Sequence, residues 1–181
     1  IGSAFIALTG TFLFSIIYGF ASAYMGGYFD IVLTGICDLA MAFPPMVVVL
    51  SLMGLFASSI SGLILAIIIA SWPWYAKIVR SMVLVEKEKA YVSAAKICGS
   101  SHLKIISKHI LPNVLNTISV MYFTGISNMI LIISGFSYLG IGFSQEVPEW
   151  GTMLSHAKSY IFTRPELLII PGICICITSI A

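Results

Sequence analysis

The 181-residue sequence is 59% apolar and only 9% charged, with a formal net charge of +2. A soluble globular protein could not cover its surface with so few polar groups, so the composition excludes that class and indicates an integral membrane protein. The small net charge gives no indication of nucleic-acid binding.

Apolar runs separated by turn residues predict about five transmembrane helices, and therefore an all-α polytopic fold in one membrane domain, 1–181. The predicted spans are about 1–25, 31–56, 63–85, 114–133 and one beginning near 166. The sequence starts without an initiator methionine or a signal peptide and stops inside an apolar run. We therefore expect further helical segments at both ends in a longer protein.

The basic residues predict the orientation, because seven of the nine lie at the end of the third span or in the segment after it. They are Lys77, Arg80, Lys87, Lys89, Lys96, Lys104 and Lys108. By the positive-inside rule, segment 86–112 is cytoplasmic. Counting spans from it places the glycine-rich turn at 26–30 inside the cell and the polar loop at 144–165 outside.

Segment 86–112 is too highly charged to cross a membrane, and its apolar residues recur at helical spacing. Gly99 interrupts the pattern, so we expect two short helices that meet there, with Pro112 and Asn113 closing the loop before the fourth span. Ala94, Ala95 and Gly99 would give a narrow face that another protein can approach closely. A helix lying on lipid would present bulkier side chains, so the pattern favours docking to a protein.

The stretch "SAAKICGSSHLKIISKHILP" resembles the EAA loop of bacterial ABC-importer permeases, with the spacing of that motif intact. Ser93 stands in place of the glutamate in the family pattern. The positions that match are Ala94, Ala95, Gly99, Leu111 and Pro112. The resemblance implies that this loop is a coupling helix that sits in a cleft of an ATPase subunit.

Further stretches resemble the dipeptide, oligopeptide and nickel subgroup of these permeases, specifically its second permease partner. They include "DLAMAFPP", "KHILPN", "GFSYLGIGF" and "VPEWGTML". The resemblance implies a bacterial inner-membrane protein with about six spans in the full chain. It also implies a homologous second permease, two ATPase subunits that bind the ATP, and an extracytoplasmic binding protein that supplies peptides, nickel or metal chelates.

The sequence contains no phosphate-binding loop, zinc-protease motif or serine-hydrolase motif, so we predict a non-enzyme without a cofactor of its own, driven by a partner. The same absence is compatible with a self-contained channel or secondary transporter, which is the alternative function. That class typically shows internal repeats, and we find no convincing one. Cys98, His102 and His109 could share a helical face only without the break at Gly99, so no metal site is predicted.

Asp38, Phe43 and Pro44 are candidates for the wall or gate of a translocation path. An ionisable group inside a span is costly and usually faces a protein interior or water, so Asp38 is either such a path residue or a hydrogen-bonded packing residue. Phe43-Pro44-Pro45 predicts a fixed kink that could also be a hinge.

Glu149, Trp150 and Gly151 are candidate site residues in the external loop. Tryptophan favours the membrane interface, which alone could explain Trp150. The alternative is that this loop forms part of an outer gate or a seat for the binding protein.

Overall fold

The chain is helical almost throughout in the computed structural model, which describes residues 1–56, 59–143 and 147–180 with no β-strand among them. The predicted all-α membrane fold is confirmed. The helices are α1 (Gly2–Met25), α2 (Gly27–Met41), α3 (Pro45–Leu55), α4 (Ile60–Lys87), α5 (Ala90–Ile97), α6 (His102–Ile105), a π-helix (Ile106–Ile110), α7 (Leu111–Tyr138), α8 (Trp150–Ala157), a 3-10 turn (Lys158–Tyr160) and α9 (Glu166–Ile180).

Three helical stretches in the described part of the chain are long and apolar enough to cross a membrane. They are α1, α4 and the continuous run His102–Tyr138, with 24, 28 and 37 residues. The pair α2 and α3 would add a fourth if it counts as one broken span, and α9 is a shorter apolar helix. Each of the five predicted spans therefore corresponds to a helix or a helix pair.

The second predicted span is two helices, α2 and α3, which meet at an angle of 80°. Pro44 lies between them and Pro45 opens α3. A residue that precedes proline is disfavoured in the helical conformation, whereas proline at a helix start loses no hydrogen bond. The predicted kink is therefore a complete break in the helix.

The prediction that Pro112 and Asn113 close the cytoplasmic loop was wrong, because the helix runs through them. The π-helix Ile106–Ile110 leads directly into α7 at Leu111. In an α-helix the Pro112 ring would clash with the carbonyl of Lys108, four residues earlier. Lys108 lies in the π-helix, whose wider turn lets the chain continue as a helix.

Contacts divide the chain into two compact units, and α1, α4 and α7 contribute residues to both. The first unit comprises Ile1–Thr9, Pro45–Ala70 and Phe123–Ala181. The second comprises Gly10–Pro44 and Ser71–Tyr122. The second unit thus groups the two segments predicted to be cytoplasmic, the turn near residue 26 and the loop 86–112.

In the second unit, α1 packs closely against α4 at Gly19. A Cβ atom at Gly19 would lie 2.7 Å from the backbone oxygen of Ala76 and 2.9 Å from the Val79 side chain. Small residues allow such close helix approach in membrane proteins, where dispersion contacts replace the hydrophobic effect. Gly19 therefore fixes α1 beside the part of α4 that leads to the loop predicted to be cytoplasmic.

In the first unit, the predicted external loop contains α8, held against α7 by Glu149 and Gly151; residues 144–146 lie outside the described residues. Glu149 caps α8, because its Oε2 accepts from the Gly151 N–H at 2.8 Å while the Thr152 hydroxyl accepts from the Glu149 N–H at 3.2 Å. The Ser134 hydroxyl of α7 donates to the other Glu149 oxygen at 3.3 Å. Glu149 is thus a capping residue.

We expect Gly151→Ala to destabilise the protein by about 1 to 3 kcal/mol, the usual effect of overpacking. The new Cβ would lie 2.2 Å from the Ser134 backbone oxygen, which cannot rotate away. Gly135→Ala on α7 is the matched control, since a Cβ there meets nothing within 4 Å. Thermal unfolding in detergent should show a lower midpoint for Gly151→Ala only, and equal midpoints would contradict this packing.

Candidate functional site

The candidate coupling surface is the outward face of the segment from α5 to α6, defined by Ala94, Ile97, Gly99 and Leu103. Ile97 and Leu103 are 87% and 79% exposed, and Ala94 and Gly99 are also exposed. Large apolar side chains this exposed in a charged loop indicate a surface that another molecule covers.

The opposite face of the same segment anchors it in the second unit. Val92 of α5, Ile105 of α6 and Ile110 of the π-helix are almost fully buried. The helical pattern thus splits the apolar residues of the loop between an inner and an outer face. The outer face is held in position by the inner one.

The structure brings together some of the residues predicted for coupling and separates others. Ser93 and Ala94 are exposed on α5, and Ala95 is half-buried. Leu111 and Pro112 lie instead at the start of α7, where Leu111 is half-buried and Pro112 exposed. The two ends of the motif thus lie on different helices, α5 and α7.

Gly99 ends α5 in a Schellman motif. Its φ is +75°, its N–H donates to the Lys96 carbonyl, and the Ser100 N–H donates to the Ala95 carbonyl, both at 3.0 Å. This arrangement requires a residue in the left-handed backbone conformation, which glycine adopts without strain. Gly99 therefore sets the angle at which the chain leaves α5 and presents Leu103.

We expect Gly99→Val to destabilise this turn by about 1 to 2 kcal/mol, because a β-branched residue is strained at positive φ. A Cβ at Gly99 meets nothing within 4 Å, so backbone strain rather than a clash should cause the loss. Gly99→Asn should be milder, since asparagine tolerates the left-handed region. The check is thermal unfolding of the purified protein, where midpoints are expected to fall in the order glycine, asparagine, valine, and equal midpoints for all three would contradict it.

A polar network that the sequence did not reveal links the end of α4 to α5 and α7. Glu86 is buried, pairs with Lys89 at 2.7 Å and accepts a hydrogen bond from the Tyr91 hydroxyl. Asn113 of α7 donates to the same Tyr91 oxygen at 2.9 Å. A buried carboxylate needs such partners, so the network fixes where α5 leaves α4.

Burial, and then the hydrogen bond to Glu86, raises the pKa of the Tyr91 hydroxyl. The hydrogen bond to Glu86 likewise raises the pKa of Lys89. Tyr91 therefore stays protonated and Lys89 charged at neutral pH. Both remain donors to Glu86, so the network is stable across the physiological pH range.

Two acidic residues of α2 pair with basic residues of α4. Asp30 receives two hydrogen bonds from Arg80, at 2.6 and 2.5 Å, and one from Ser22 at 2.5 Å. The candidate path residue Asp38 pairs with Lys77 at 2.5 Å, and that pair is more exposed. The side chain of Asp38 is therefore an ion-pair partner on α2, and its role as a gate stays a prediction.

The other candidate path residues, Phe43 and Pro44, are exposed at the break between α2 and α3. In the external loop, Gly151 is buried against α7 and Trp150 is half-buried at the start of α8. Roles in a gate or in seating a binding protein stay predictions for these residues. The capping role of Glu149 and the packing role of Gly151 were not predicted from the sequence.

Known proteins resemble this chain over most of its length. It is 39% identical to the metal-staphylopine import system permease protein of Staphylococcus aureus over 152 residues, which are 84% of this chain and 53% of the relative. It is 37% identical over 179 residues to the oligopeptide transport system permease protein of Haemophilus influenzae, covering 98% of this chain and 56% of the relative.

The nickel transport system permease protein of Escherichia coli is 28% identical over all 181 residues, which are 65% of that relative. The chain thus spans about half to two thirds of the length of these relatives. The model of the family described as "binding-protein-dependent transport system inner membrane component" matches residues 12–181. The chain therefore belongs to the family of binding-protein-dependent transport system inner membrane components.

Proposed function

We propose that this chain is part of a permease subunit of an ATP-driven importer and forms half of a translocation path. Its partners would be a homologous second permease, two ATPase subunits and an extracytoplasmic binding protein. Family membership and the names of the relatives, all of them permease proteins of transport systems, support this proposal. ATP would be bound and hydrolysed by the partner subunits.

The single observation that carries the proposal is the candidate coupling surface on a braced loop. Ile97 and Leu103 are exposed, while Glu86 and Tyr91 tie the loop to α4 and α7. A helix face of this kind suits a groove on a partner protein. Movement of a partner seated there would be transmitted through the bracing contacts to helices long enough to cross the membrane.

We propose peptides or metal chelates as the substrate class. The named relatives are permease proteins of a metal-staphylopine import system, an oligopeptide transport system and a nickel transport system. The break between α2 and α3, with Asp38 nearby on α2, is the segment that we propose contributes to the path. Irregular backbone at membrane depth is tolerated where it lines a cavity or is covered by protein.

The test is reconstitution of the full-length protein into proteoliposomes, with each proposed partner left out in turn. Uptake should require the second permease, the ATPases, the binding protein and ATP together. Uptake by the purified chain alone, without ATP, would contradict the proposal. That result would favour the alternative, a self-contained channel or secondary transporter.

A further inference from the structure

A cavity of about 130 Å³ lies in the second unit, between the ends of α1 and α4 and the loop that follows. This volume exceeds the space that one water molecule needs. Its lining residues are Tyr24, Lys87, Val92, Lys96, His102, Ile105 and Ile110. The floor is apolar, because Val92, Ile105 and Ile110 are buried, and the remaining residues form a polar rim.

The rim of the cavity carries unneutralised positive charge. Neither Lys87 nor Lys96 forms an ion pair with a carboxylate in the described ranges. The ammonium groups of Lys87 and Lys96 repel each other. Asp30 attracts Lys87, but the Asp30 carboxylate is already bound by Arg80. Two like charges beside one cavity without a counter-charge are unfavourable unless an anion joins them.

Hydrogen-bond donors remain for such an anion. Lys87 uses one N–H for the Ala23 carbonyl at 2.7 Å, and an ammonium group has two more. The Tyr24 hydroxyl lies 2.6 Å from Nδ1 of His102. When Tyr24 donates to Nδ1, the ring proton of His102 is on Nε2, which is then a further donor.

We propose that this cavity binds a phosphate group, held by Lys87, Lys96 and His102. An anionic phospholipid headgroup and free phosphate share this chemistry. The headgroup is the source that the surroundings favour, since α1 and α4 end here and the loop is rich in basic residues, as expected of a cytoplasmic membrane surface. The apolar floor would contact the glycerol and upper acyl chain.

The test measures protection of individual lysines from an amine-acylating reagent, read by mass spectrometry, on the full-length protein with its partner subunits in nanodiscs. One arm compares phosphatidylglycerol with phosphatidylcholine discs. The other adds inorganic phosphate to phosphatidylcholine discs. Lys104 is the matched control, because it is exposed in the same loop and does not line the cavity.

We expect phosphatidylglycerol to protect Lys87 and Lys96 but not Lys104. Protection by inorganic phosphate would support the site with free phosphate as its ligand. Lys96→Gln should lower phosphatidylglycerol retention about fivefold in native mass spectrometry, because it removes one of the cationic groups that line the cavity. Lys104→Gln, outside the cavity, should have a smaller effect.

Three results would overturn the proposal. They are no protection in either arm, equal protection of Lys104, and full protection in phosphatidylcholine discs without added inorganic phosphate, which would mean that neither an anionic lipid nor free phosphate is needed to cover the two lysines. None of these results bears on ATP-driven uptake, so failure of this site is distinguishable from failure of the proposed function.

Discussion

Replacing Leu103 with glutamate should abolish ATP-driven uptake while the protein remains folded in the membrane. Leu103 is 79% exposed, so the change removes few contacts within the chain. A carboxylate buried unpaired in a partner groove would weaken docking by 2 kcal/mol or more, about a 30-fold loss of affinity. The measurement is uptake and ATPase activity in proteoliposomes.

The controls for this experiment separate docking from folding. Leu103→Met keeps the apolar volume and should retain most of the uptake. Ser107→Glu adds the same charge at an exposed position one turn further along the helix and should have a smaller effect. Uptake by Leu103→Glu close to the unmodified level, at equal membrane abundance, would contradict a docking role for this side chain.

Arg80→Ala should be the most destabilising substitution among the ion-pair residues, by about 3 kcal/mol. It leaves Asp30 with Ser22 and Thr34 as its remaining side-chain partners, in a partly buried position. Arg80→Lys should not fully restore stability, because lysine cannot donate the two parallel hydrogen bonds that the guanidinium makes. Thermal unfolding of the purified protein measures the loss.

Lys77→Ala is the matched control for Arg80→Ala, since both remove a basic residue of α4 from an aspartate of α2. The Lys77–Asp38 pair is more exposed, with side-chain exposures of 37% and 57%, and exposed pairs contribute at most about 1 kcal/mol. Adding Asp30→Asn to Arg80→Ala should recover part of the stability by removing the unpaired charge. Equal losses for Arg80→Ala and Lys77→Ala would contradict the importance of the Asp30 pair.

The sequence predicted the long helices well because their signal is local. α1 contains no charged residue, α4 contains none before Lys77, and prolines mark the break before α3. The continuation through Pro112 was missed because it depends on the π-helix, which no residue type specifies. A proline in the sequence shows that a regular α-helical turn is disfavoured at that position, but it does not show which other backbone conformation the chain adopts.

For the candidate site, the sequence predicted the break at Gly99 but neither the large exposed side chains of Ile97 and Leu103 nor the contacts that support the loop. Small residues at Ala94 and Gly99 and the break at Gly99 follow from composition and spacing. Composition and spacing do not show which apolar residues of the loop face inward. Ile105 is buried, while Leu103, two positions earlier, is exposed. The Asp30–Arg80 ion pair joins residues that are fifty positions apart in the chain. A single sequence does not show which charged residues pair at such a separation.

The most direct test of the central claim is crosslinking from Cys98, which is exposed beside Gly99. A photoactivatable reagent on Cys98, in a Cys176→Ser variant of the assembled importer, should give an adduct with the ATPase whose yield changes with nucleotide. Cys176 of α9, used in a Cys98→Ser variant, is the control and should give none with the ATPase. Adducts from Cys98 to lipid alone would contradict the claim that this loop docks to the ATPase.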